Sequence, residues 1–326
     1  MMKAVVTEGY GPPERLQLKE VDTPIPNNNE VLIKVHASSL NAADFEIQRG
    51  SILTRITGPL KPKNKIPGTD VAGVVEAVGT EITKLQPGDE VMGDLFMHGA
   101  GAFAEYVCAP EEALTPKPSA MTFEEAATYP QAAVIALQSI RGKHQIQPGQ
   151  RVLINGAGGG MGTFAIQIRK YHEAQVTGVG SAKKPDMIRS IGADHVLDYK
   201  KEDYAKTGER YDLILDTVAR RSIFVHRRTL NPGGMFVMLG GSRSAMLQTA
   251  LLGPLISRAG DKWFGFNWWA KPYNKEDMDL LTEPFEAGKV VPVIDRRVPL
   301  SEVPEAMKYL EDGLALGKVV VSVSEG

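Results

Sequence analysis

The stretch VLINGAGGGMG, residues 152–162, constrains this chain more than any other part of it. An apolar run that predicts a β-strand gives way at once to five glycines within seven residues, and a helical pattern follows. The spacing A-x-G-x-x-G is typical of a loop that turns out of a strand, lets the backbone approach a pyrophosphate and packs a helix on that strand. The amides at the start of that helix favour phosphate. The stretch therefore predicts a dinucleotide-binding loop formed by Ala157, Gly159, Gly160, Met161 and Gly162.

Alternating strand and helix patterns surround this loop. After about Met121, short β-rich runs such as RVLING, HVLDY and YDLILD alternate with helical stretches such as MGTFAIQIRKYHEA. This alternation predicts βαβ units and a parallel, doubly wound sheet. The first 120 residues and the tail from Val290 contain short strand patterns between Gly- and Pro-rich turns, which predict a β-barrel or sandwich-like unit. A chain of 326 residues is long enough for two domains.

The end of the second strand in this series indicates which dinucleotide binds. A site selective for NAD usually places Asp or Glu there to bond the ribose hydroxyls, whereas residues 174–185 (AQVTGVGSAKKP) contain no acid. Ser181 offers a hydroxyl, and Lys183 and Lys184 offer the positive charge that a 2′-phosphate needs. We predict NADP(H) as the cofactor, bound in part by Ser181 and Lys184. Either lysine taken singly also fits a solvated first turn of a helix.

Composition and charge narrow the possible partners and compartment. The net charge of −2 gives no basic footprint for nucleic acid or an anionic membrane, and pairs such as Arg220–Arg221 are expected to be solvated. The longest weakly polar stretch is too short and too polar to span a bilayer. The single cysteine, Cys108, fits a reducing compartment, and the N-terminal sequence lacks the apolar region of a signal peptide. These features predict a cytoplasmic protein that binds neither nucleic acid nor membrane.

Further stretches along almost the whole chain carry a family resemblance. They are SSLNAADFEIQRG (38–50), IPGTDVAGVVEAVG (66–79), LQPGDEVMG (85–93), GAFAEYV (101–107), GADHVLDY (192–199), YDLILDTV (211–218), LNPGGMFVMLGG (230–241) and LGKVVVSV (316–323). Together with the glycine loop they resemble the medium-chain dehydrogenase/reductase superfamily, specifically its zinc-independent quinone-oxidoreductase-like branch. The resemblance implies an α/β chain: a GroES-like β-domain from residues 1–125 and 274–326, and an inserted Rossmann domain over residues 126–273.

The resemblance also implies roles for individual residues. Asn41 and Asp44 would be catalytic residues at the nicotinamide and substrate end of the cleft. The expected cofactor contacts are Tyr199 near the adenosine 2′-phosphate, Thr217, Leu239, Gly240, Phe264 and Phe266 at the ends of the later Rossmann strands, and Lys318 after Gly317.

Departures from the zinc-dependent relatives argue against a bound metal. Zinc alcohol dehydrogenases carry Cys where this chain has Asn41, and His where it has Thr69. Neither replacement competes with a thiolate or imidazole as a zinc ligand. The cysteine-rich lobe that holds structural zinc is missing, and His98 stands alone in its place. No metal is therefore expected.

Other positions remain open at this stage. Several relatives have Tyr or Lys where this chain has Glu46, which puts a substrate contact there in doubt. The segments 47–65, 129–134 and 242–261 are expected to be variable loops that line a partly apolar substrate cleft. For the aromatic residues near the sixth Rossmann strand, packing in the core or at a dimer edge competes with pocket lining: Phe264, Phe266, Trp268 and Trp269.

The predicted function combines these points. Without a Lewis acid, NADPH can still reduce a substrate that is already electrophilic, such as a quinone or an α,β-unsaturated carbonyl compound. The first hypothesis is therefore an NADPH-dependent quinone or enone reductase, expected to be a homodimer by resemblance. Two alternatives stay open: a non-catalytic NADPH-binding adaptor or RNA-binding protein resembling zeta-crystallin, and a zinc-type alcohol dehydrogenase.

Overall fold

The computed structural model describes residues 1–51, 54–55, 58–141, 147–267 and 275–323. The chain divides into two compact units. Unit 1 consists of Met1–Val134, Pro272–Thr282 and Pro292–Gly326, and unit 2 of Ile135–Lys271 and Glu283–Val291. The domain boundaries expected from the sequence stay a prediction. Trp268 and Trp269 lie outside the described residues.

Unit 1 is built mainly from strands. Its strands are β1 (Met2–Val6), β2 (Gln17–Val21), β3 (Glu30–Ser39), β4 (Asp70–Val78), β5 (Glu90–Asp94), β6 (Tyr106–Pro110), β7 (Leu114–Pro116), β14 (Ile294–Pro299) and β15 (Lys318–Ser322). Strands β1 and β2 pair with each other, and the larger sheet has the order β14-β15-β3-β4-β5-β7, with β6 also paired to β3. The chain's two ends meet in this sheet, because β15 pairs antiparallel with β3.

Apolar side chains fill the inside of unit 1. Val31, Ile33 and Val35 alternate along β3 and are buried with Val71 and Val75 of β4. Alternation with a period of two is what a strand needs to direct one set of side chains into a core. The helices that begin in this unit are α1 (Ala42–Arg49), α2 (Phe123–Ala126), α3 (Ala132–Arg141), α8 (Lys275–Glu286) and α9 (Val303–Glu311).

Unit 2 contains a parallel six-stranded sheet. Its strands are β8 (Arg151–Asn155), β9 (Gln175–Gly180), β10 (His195–Asp198), β11 (Tyr211–Asp216), β12 (Leu230–Met238) and β13 (Trp263–Phe266). They lie in the order β10-β9-β8-β11-β12-β13, and every pairing is parallel. This is the strand order of a doubly wound dinucleotide-binding sheet. The chain adds β9 and β10 on one side of β8, and then β11, β12 and β13 on the other side. The predicted α/β fold class is confirmed.

The helices of unit 2 are α4 (Gly160–Tyr171), α5 (Pro185–Ser190), α6 (Ile223–Thr229) and α7 (Arg243–Ala259). Helix α7 corrects the expectation of a loop over residues 242–261. The Ser242 side chain caps this helix by accepting a hydrogen bond from the Ala245 amide at 3.3 Å. The segment that follows is rich in Ala, Leu and Met, which favour helix. Among the described residues, no helix is long and apolar enough to cross a membrane.

Candidate active site and cofactor loop

The glycine loop joins β8 to α4, as the sequence predicts. The residue with a left-handed backbone is Gly156, whose φ is +90°. An ideal Cβ at Gly156 would lie 2.0 Å from the Thr217 hydroxyl, so no side chain fits there. Ala157 follows without a positive φ and is completely buried. The turn that requires glycine is therefore at Gly156, one residue before Ala157, the first position of the A-x-G-x-x-G motif.

The other glycines of the loop have distinct structural roles. A Cβ at Gly162 would lie 2.3 Å from the Gly156 carbonyl oxygen, so Gly162 permits close packing of helix α4 on the turn. A Cβ at Gly159 would meet only that same oxygen, at 3.5 Å. Gly159 is the N-cap of α4, and no side chain caps the helix. The first turn, which includes Gly160 and Met161, therefore presents backbone to an open side, which fits a pyrophosphate.

The residues expected to select NADP lie together at the end of β9. Lys184 is buried, and its side chain covers Gly158, whose carbonyl oxygen it approaches at 3.4 Å. The Lys184 amide donates to the Ser181 carbonyl oxygen at 2.9 Å in a turn, and the Tyr199 amide donates to the Gly180 carbonyl oxygen at 3.1 Å. The Tyr199 side chain is more than half exposed. The loop, Ser181, Lys184 and Tyr199 are thus neighbours in unit 2.

Thr217, Leu239 and Gly240 meet at the carboxyl ends of β11 and β12. The Thr217 hydroxyl donates to the Asn155 carbonyl oxygen at 3.0 Å, and the Leu239 amide donates to the Asp216 carbonyl oxygen at 2.9 Å. A Cβ at Gly240 would lie 2.7 Å from the Thr217 carbonyl oxygen. This is the edge of a doubly wound sheet at which ligands bind.

Asp216 is a buried acid beneath this edge. Burial raises its pKa to about 7, and its Oδ1 accepts hydrogen bonds from Asn155 Nδ2 at 2.8 Å and from the Val218 amide at 3.1 Å. His226 Nε2 lies 3.9 Å from Asp216 Oδ2, while burial lowers the pKa of His226 to about 4. Both shifts favour the neutral forms, so the two groups do not form an ion pair at neutral pH.

The two phenylalanines of β13 occupy different environments. Phe264 lies in the core of unit 2, with its ring centroid 5.6 Å from that of Phe236. Phe266 is half-buried at the end of the strand and packs against the same core. Phe264 therefore has a packing role in unit 2, and the cofactor contacts of both residues stay predictions.

Asn41 lies at the centre of a buried polar network in unit 1. Its Nδ2 donates to Asp70 Oδ2 at 2.7 Å and to the Thr69 hydroxyl at 3.3 Å. Its Oδ1 accepts from Lys318 Nζ at 2.6 Å, and the same ammonium lies 3.3 Å from Asp70 Oδ2 and 3.2 Å from the Leu40 carbonyl oxygen. The structure thus joins Lys318, predicted as a cofactor contact, to the catalytic candidate Asn41. We call Asn41, Thr69, Asp70 and Lys318 the Asn41 network.

Further groups tie Asp70 into place. Its Oδ2 also accepts from the Ser39 hydroxyl at 2.6 Å, and its Oδ1 accepts from the Gln131 amide at 3.1 Å. Asp70 is completely buried, and charges at such positions require partners. Lys318, also buried, supplies the opposite charge.

Asp44 and Asp94 border the network and are buried acids of a different kind. Asp44 lies in the first turn of α1, and its carboxylate accepts a hydrogen bond from the Asn41 backbone amide at 2.7 Å. Burial, with a contribution from the charge of Asp70, raises the pKa of Asp44 to about 7. Asp94 faces Asp70 across the β4–β5 pairing, and burial together with the Asp70 charge raises its pKa to about 7. Unit 1 thus holds two acids that titrate near neutral pH.

The Asn41 network does not fit a catalytic zinc ion. A zinc ligand must direct a lone pair at the metal. Asn41 Nδ2 instead donates hydrogen bonds, and its oxygen faces the Lys318 ammonium, whose charge would repel a dication. Within the described ranges, no group of three or more His, Cys, Asp or Glu side chains is arranged to hold a metal.

Sequence reasoning missed Asp70 and Ser39 as partners of Asn41. Lys318 and Asp70 are separated from Asn41 by 277 and 29 residues in the chain. The one available signal was an acid directly after Thr69, in the position that follows a zinc ligand in relatives. Glu46, in contrast, is exposed on α1 and forms no part of the network.

A β-rich unit with a buried polar network and a parallel sheet with a glycine loop define a nicotinamide-dependent oxidoreductase. Comparison with known families agrees: residues 27–119 match the alcohol dehydrogenase GroES-like domain, and residues 191–321 match a zinc-binding dehydrogenase family. The second family's name refers to zinc, whereas the Asn41 network lacks suitable ligands.

Individual relatives with similar sequences are also oxidoreductases. The mitochondrial NAD(P)H oxidoreductase RTN4IP1 of Bos taurus is 34% identical, over 99% of this chain and 89% of the relative. The 2-methylene-furan-3-one reductase of Solanum lycopersicum is 33% identical, over 98% of this chain and 79% of the relative. The solved quinone oxidoreductase of Coxiella burnetii has a TM-score of 0.87 at 28% identity and covers 99% of both chains.

The chain belongs to the quinone-oxidoreductase-like branch of the medium-chain dehydrogenase/reductase superfamily. It is an oxidoreductase of the medium-chain reductase type, and its cofactor is a nicotinamide nucleotide. The predictions of family, enzyme class and fold are confirmed.

Proposed function

We propose that this chain is an NADPH-dependent reductase that transfers hydride to quinones or α,β-unsaturated carbonyl compounds without a metal ion. The observation that supports the proposal is the Asn41 network: Asn41 and Thr69 stand at the positions of two zinc ligands in zinc-dependent relatives, and the Lys318 ammonium contacts the Asn41 oxygen. The names of the 2-methylene-furan-3-one reductase and of the solved quinone oxidoreductase support this substrate class.

The chemistry that the chain must supply is modest. When bound, NADPH supplies the hydride. Addition of that hydride to the β-carbon of an enone moves the electron pair onto the carbonyl oxygen, and a proton from water completes the product. An enolate-like oxygen is stabilised by fixed donors and positive charge. We assign to Asn41 the positioning of the substrate carbonyl or of the nicotinamide ribose, and to Lys318 the fixed charge behind it.

Asp44 has a supporting role in this proposal. Its carboxyl group accepts a hydrogen bond from the backbone amide of Asn41 at 2.7 Å. This bond fixes the backbone that carries the Asn41 side-chain carboxamide. Replacing Asn41 by Ala should lower kcat at least about tenfold, because a positioned polar group is lost, and change the Kd for NADPH far less. An equal loss in kcat and NADPH affinity would assign Asn41 to the nicotinamide ribose rather than to the substrate carbonyl, and an unchanged kcat would contradict both roles.

A direct activity assay tests the proposal. Purified protein should oxidise NADPH with 2-alkenals, cyclic enones or para-quinones, and a strong chelator should leave the rate unchanged. Stoichiometric zinc by elemental analysis, with loss of activity on its removal, would establish the zinc-type alternative. Tight NADPH binding without turnover across the panel would instead favour a non-catalytic role.

We propose NADP(H) over NAD(H) because no acid follows β9 and Lys184 lies over the loop. Lys184→Ala should weaken NADPH binding about tenfold or more, because a charge-assisted contact with the 2′-phosphate is lost, and should leave NADH binding nearly unchanged. The neighbouring Lys183, which is exposed, provides a matched control: Lys183→Ala should have a much smaller effect. Equal losses for both coenzymes would show that Lys184 only supports the loop.

We also propose a homodimer. Strand β13 is at the edge of its sheet in the described part of the chain, and an edge strand offers unpaired backbone groups to a second copy. Sedimentation equilibrium tests this point. The cytoplasmic location and the absence of nucleic-acid binding stay predictions from the sequence.

A further inference from the structure

Charge is distributed unevenly along the chain. Residues 217–260 contain six arginines and no Asp or Glu, although acids make up 39 of the 326 residues. This segment therefore carries a formal charge of +6, and the rest of the chain carries −8, which together give the net charge of −2. The six arginines are Arg220, Arg221, Arg227, Arg228, Arg243 and Arg258.

Helix α7 lies in this segment and leaves several large apolar residues on the outside. Its fully buried residues are the small Ala245, Thr249 and Gly253. A Cβ at Gly253 would lie 2.9 Å from the Phe264 carbonyl oxygen, so the helix packs closely on β13 through that side. An ordinary surface helix turns its large apolar residues toward the core. In α7, Leu252 and Ile256 pack partly buried against the core of unit 2, while a second set of large apolar residues stays exposed.

The exposed side of α7 is a leucine row. Leu247, Leu251 and Leu255 follow one another at intervals of four, which places them on one face, and they are 61%, 62% and 64% exposed. Met246 beside them is 40% exposed. Scattered exposed apolar residues need no explanation, but a contiguous row usually marks an interaction site.

Arginines stand at both ends of this row. Arg243 precedes Leu247 by four residues and Arg258 follows Leu255 by three, so both project from the leucine side of the helix. Both are exposed, and among the described residues no carboxylate lies within ion-pairing distance of either. Helix α6 lies beside α7, because the Ile223 amide bonds to Gln248 Oε1 at 3.2 Å. It adds the exposed Phe224, Arg227 and Arg228.

We propose that the outer face of α7, formed by Leu247, Leu251 and Leu255 with Arg243 and Arg258, binds the surface of a membrane that contains anionic lipids. Leucines of such a helix enter the boundary between headgroups and acyl chains, and the flanking arginines pair with lipid phosphates. The exposed Arg227 and Arg228 of the neighbouring α6 add positive charge, whereas Arg221 is already paired with Asp203 at 3.0 Å. The expectation from the sequence that the chain binds no membrane relied on the net charge of −2, which averages out the positive charge of residues 217–260.

A second copy of the chain is a poorer occupant of this face. A symmetric dimer brings the same surface of both protomers together. Contact through α7 would then place the acid-free, arginine-bearing faces opposite each other, and like charges would repel. The proposal also does not depend on the catalytic proposal, because lipid binding is measured without substrate or coenzyme.

Vesicle flotation of the full chain tests the proposal. The protein should float with vesicles of phosphatidylcholine and phosphatidylglycerol, bind phosphatidylcholine alone weakly, and be released as salt rises. Arg243→Gln with Arg258→Gln should lower the partition coefficient about thirtyfold, since each basic residue near an anionic surface contributes about a factor of five. Leu247→Asn with Leu251→Asn should lower it at least about tenfold without changing charge.

Matched control variants distinguish the loss of the α7 outer face from the general effect of removing exposed apolar residues or positive charges. Ile25→Asn with Leu280→Asn removes two exposed apolar residues elsewhere, and Lys289→Gln with Lys308→Gln removes two exposed charges elsewhere. Both pairs should leave flotation close to wild type, and all variants should unfold at the wild-type temperature, because the positions are exposed. Flotation that α7 variants do not reduce overturns the proposal. So does an α7 variant that changes sedimentation from dimer to monomer, or one that loses a protein partner while keeping its lipid binding.

Discussion

The two units use buried polar chemistry in opposite ways. In unit 1 the site is made of side chains that satisfy one another, so that the Lys318 ammonium alone has three oxygen partners. In unit 2 the loop requires glycine, because a Cβ at Gly156 or Gly162 would overlap neighbouring atoms. A network of this kind is sensitive to the loss of any member, whereas a loop of this kind is sensitive to any addition.

The buried cations of the two units show the same contrast. Lys318 in unit 1 and Arg169 in unit 2 are each only 2% exposed. Within the described residues, Nε and Nη1 of Arg169 have no hydrogen-bond partner, and burial lowers the pKa of this guanidinium to about 9. One cation is held by an opposite charge and the other is not, so their removal should change stability in opposite directions.

The largest effect is expected from Lys318→Met. Asp70 would keep its buried position and lose its counter-charge, so the free energy of unfolding should fall by about 3–5 kcal/mol in denaturant titration. The double variant Lys318→Met with Asp70→Asn removes both charges and should recover most of that loss. If the double variant is as unstable as the single one, Lys318 stabilises unit 1 by packing rather than by its charge.

The pH dependence of stability tests the acids beside the network. The pKa of Asp44 is raised from 3.8 to about 7 in the folded chain, so the folded state retains a proton that the unfolded state releases. Stability attributable to this group is therefore present below about pH 4 and is lost as pH rises to about 7, by on the order of 4 kcal/mol. Asp44→Asn cannot titrate and should flatten the unfolding free energy measured over this interval.

Asp94 provides an independent check of the same reasoning. Its pKa is also raised to about 7, and Asp94→Asn should flatten the profile by a comparable amount. The wild-type profile also contains the opposite contribution of His226, whose pKa is lowered to about 4, so the comparison is between variant and wild type. Variants whose profiles match the wild type between pH 4 and pH 7 would contradict the raised pKa values of Asp44 and Asp94.

Substitutions at two glycines of the loop distinguish an effect on the stability of unit 2 from an effect on NADPH binding. Gly162→Ala inserts a methyl group 2.3 Å from a backbone oxygen, so it should lower the free energy of unfolding by about 2 kcal/mol and also weaken NADPH binding. Gly159→Ala meets nothing closer than 3.5 Å and should leave stability unchanged. It should nevertheless weaken NADPH binding about tenfold in calorimetric titration, because a methyl group would occupy the approach of the pyrophosphate. Unchanged binding in Gly159→Ala would place the phosphates elsewhere.

What the sequence could predict follows from how local each feature is. The glycine loop, the alternation that gives the parallel sheet and the acid-free end of β9 are each contained in a short stretch, so pattern and spacing suffice. The Asn41 network joins β3, β4 and β15, and its Lys318–Asp70 contact spans 248 residues, which no local pattern encodes. The loop expected over residues 242–261 came from the family resemblance, and the local signals of α7, a Ser242 cap and helix-favouring residues, were not weighed against it.

The smallest effect is expected from Arg169→Met. Methionine fills a similar volume and has no charge to desolvate, so the free energy of unfolding should rise by about 1 kcal/mol, visible as a small increase in Tm. Arg189, which is exposed on α5 and pairs with Asp186, provides the control, and Arg189→Met should change Tm little. A loss of stability in Arg169→Met would mean that polar contacts of the guanidinium outweigh the cost of burying its charge. The contrast between the two buried cations would then disappear, because both units would hold their charge by pairing it.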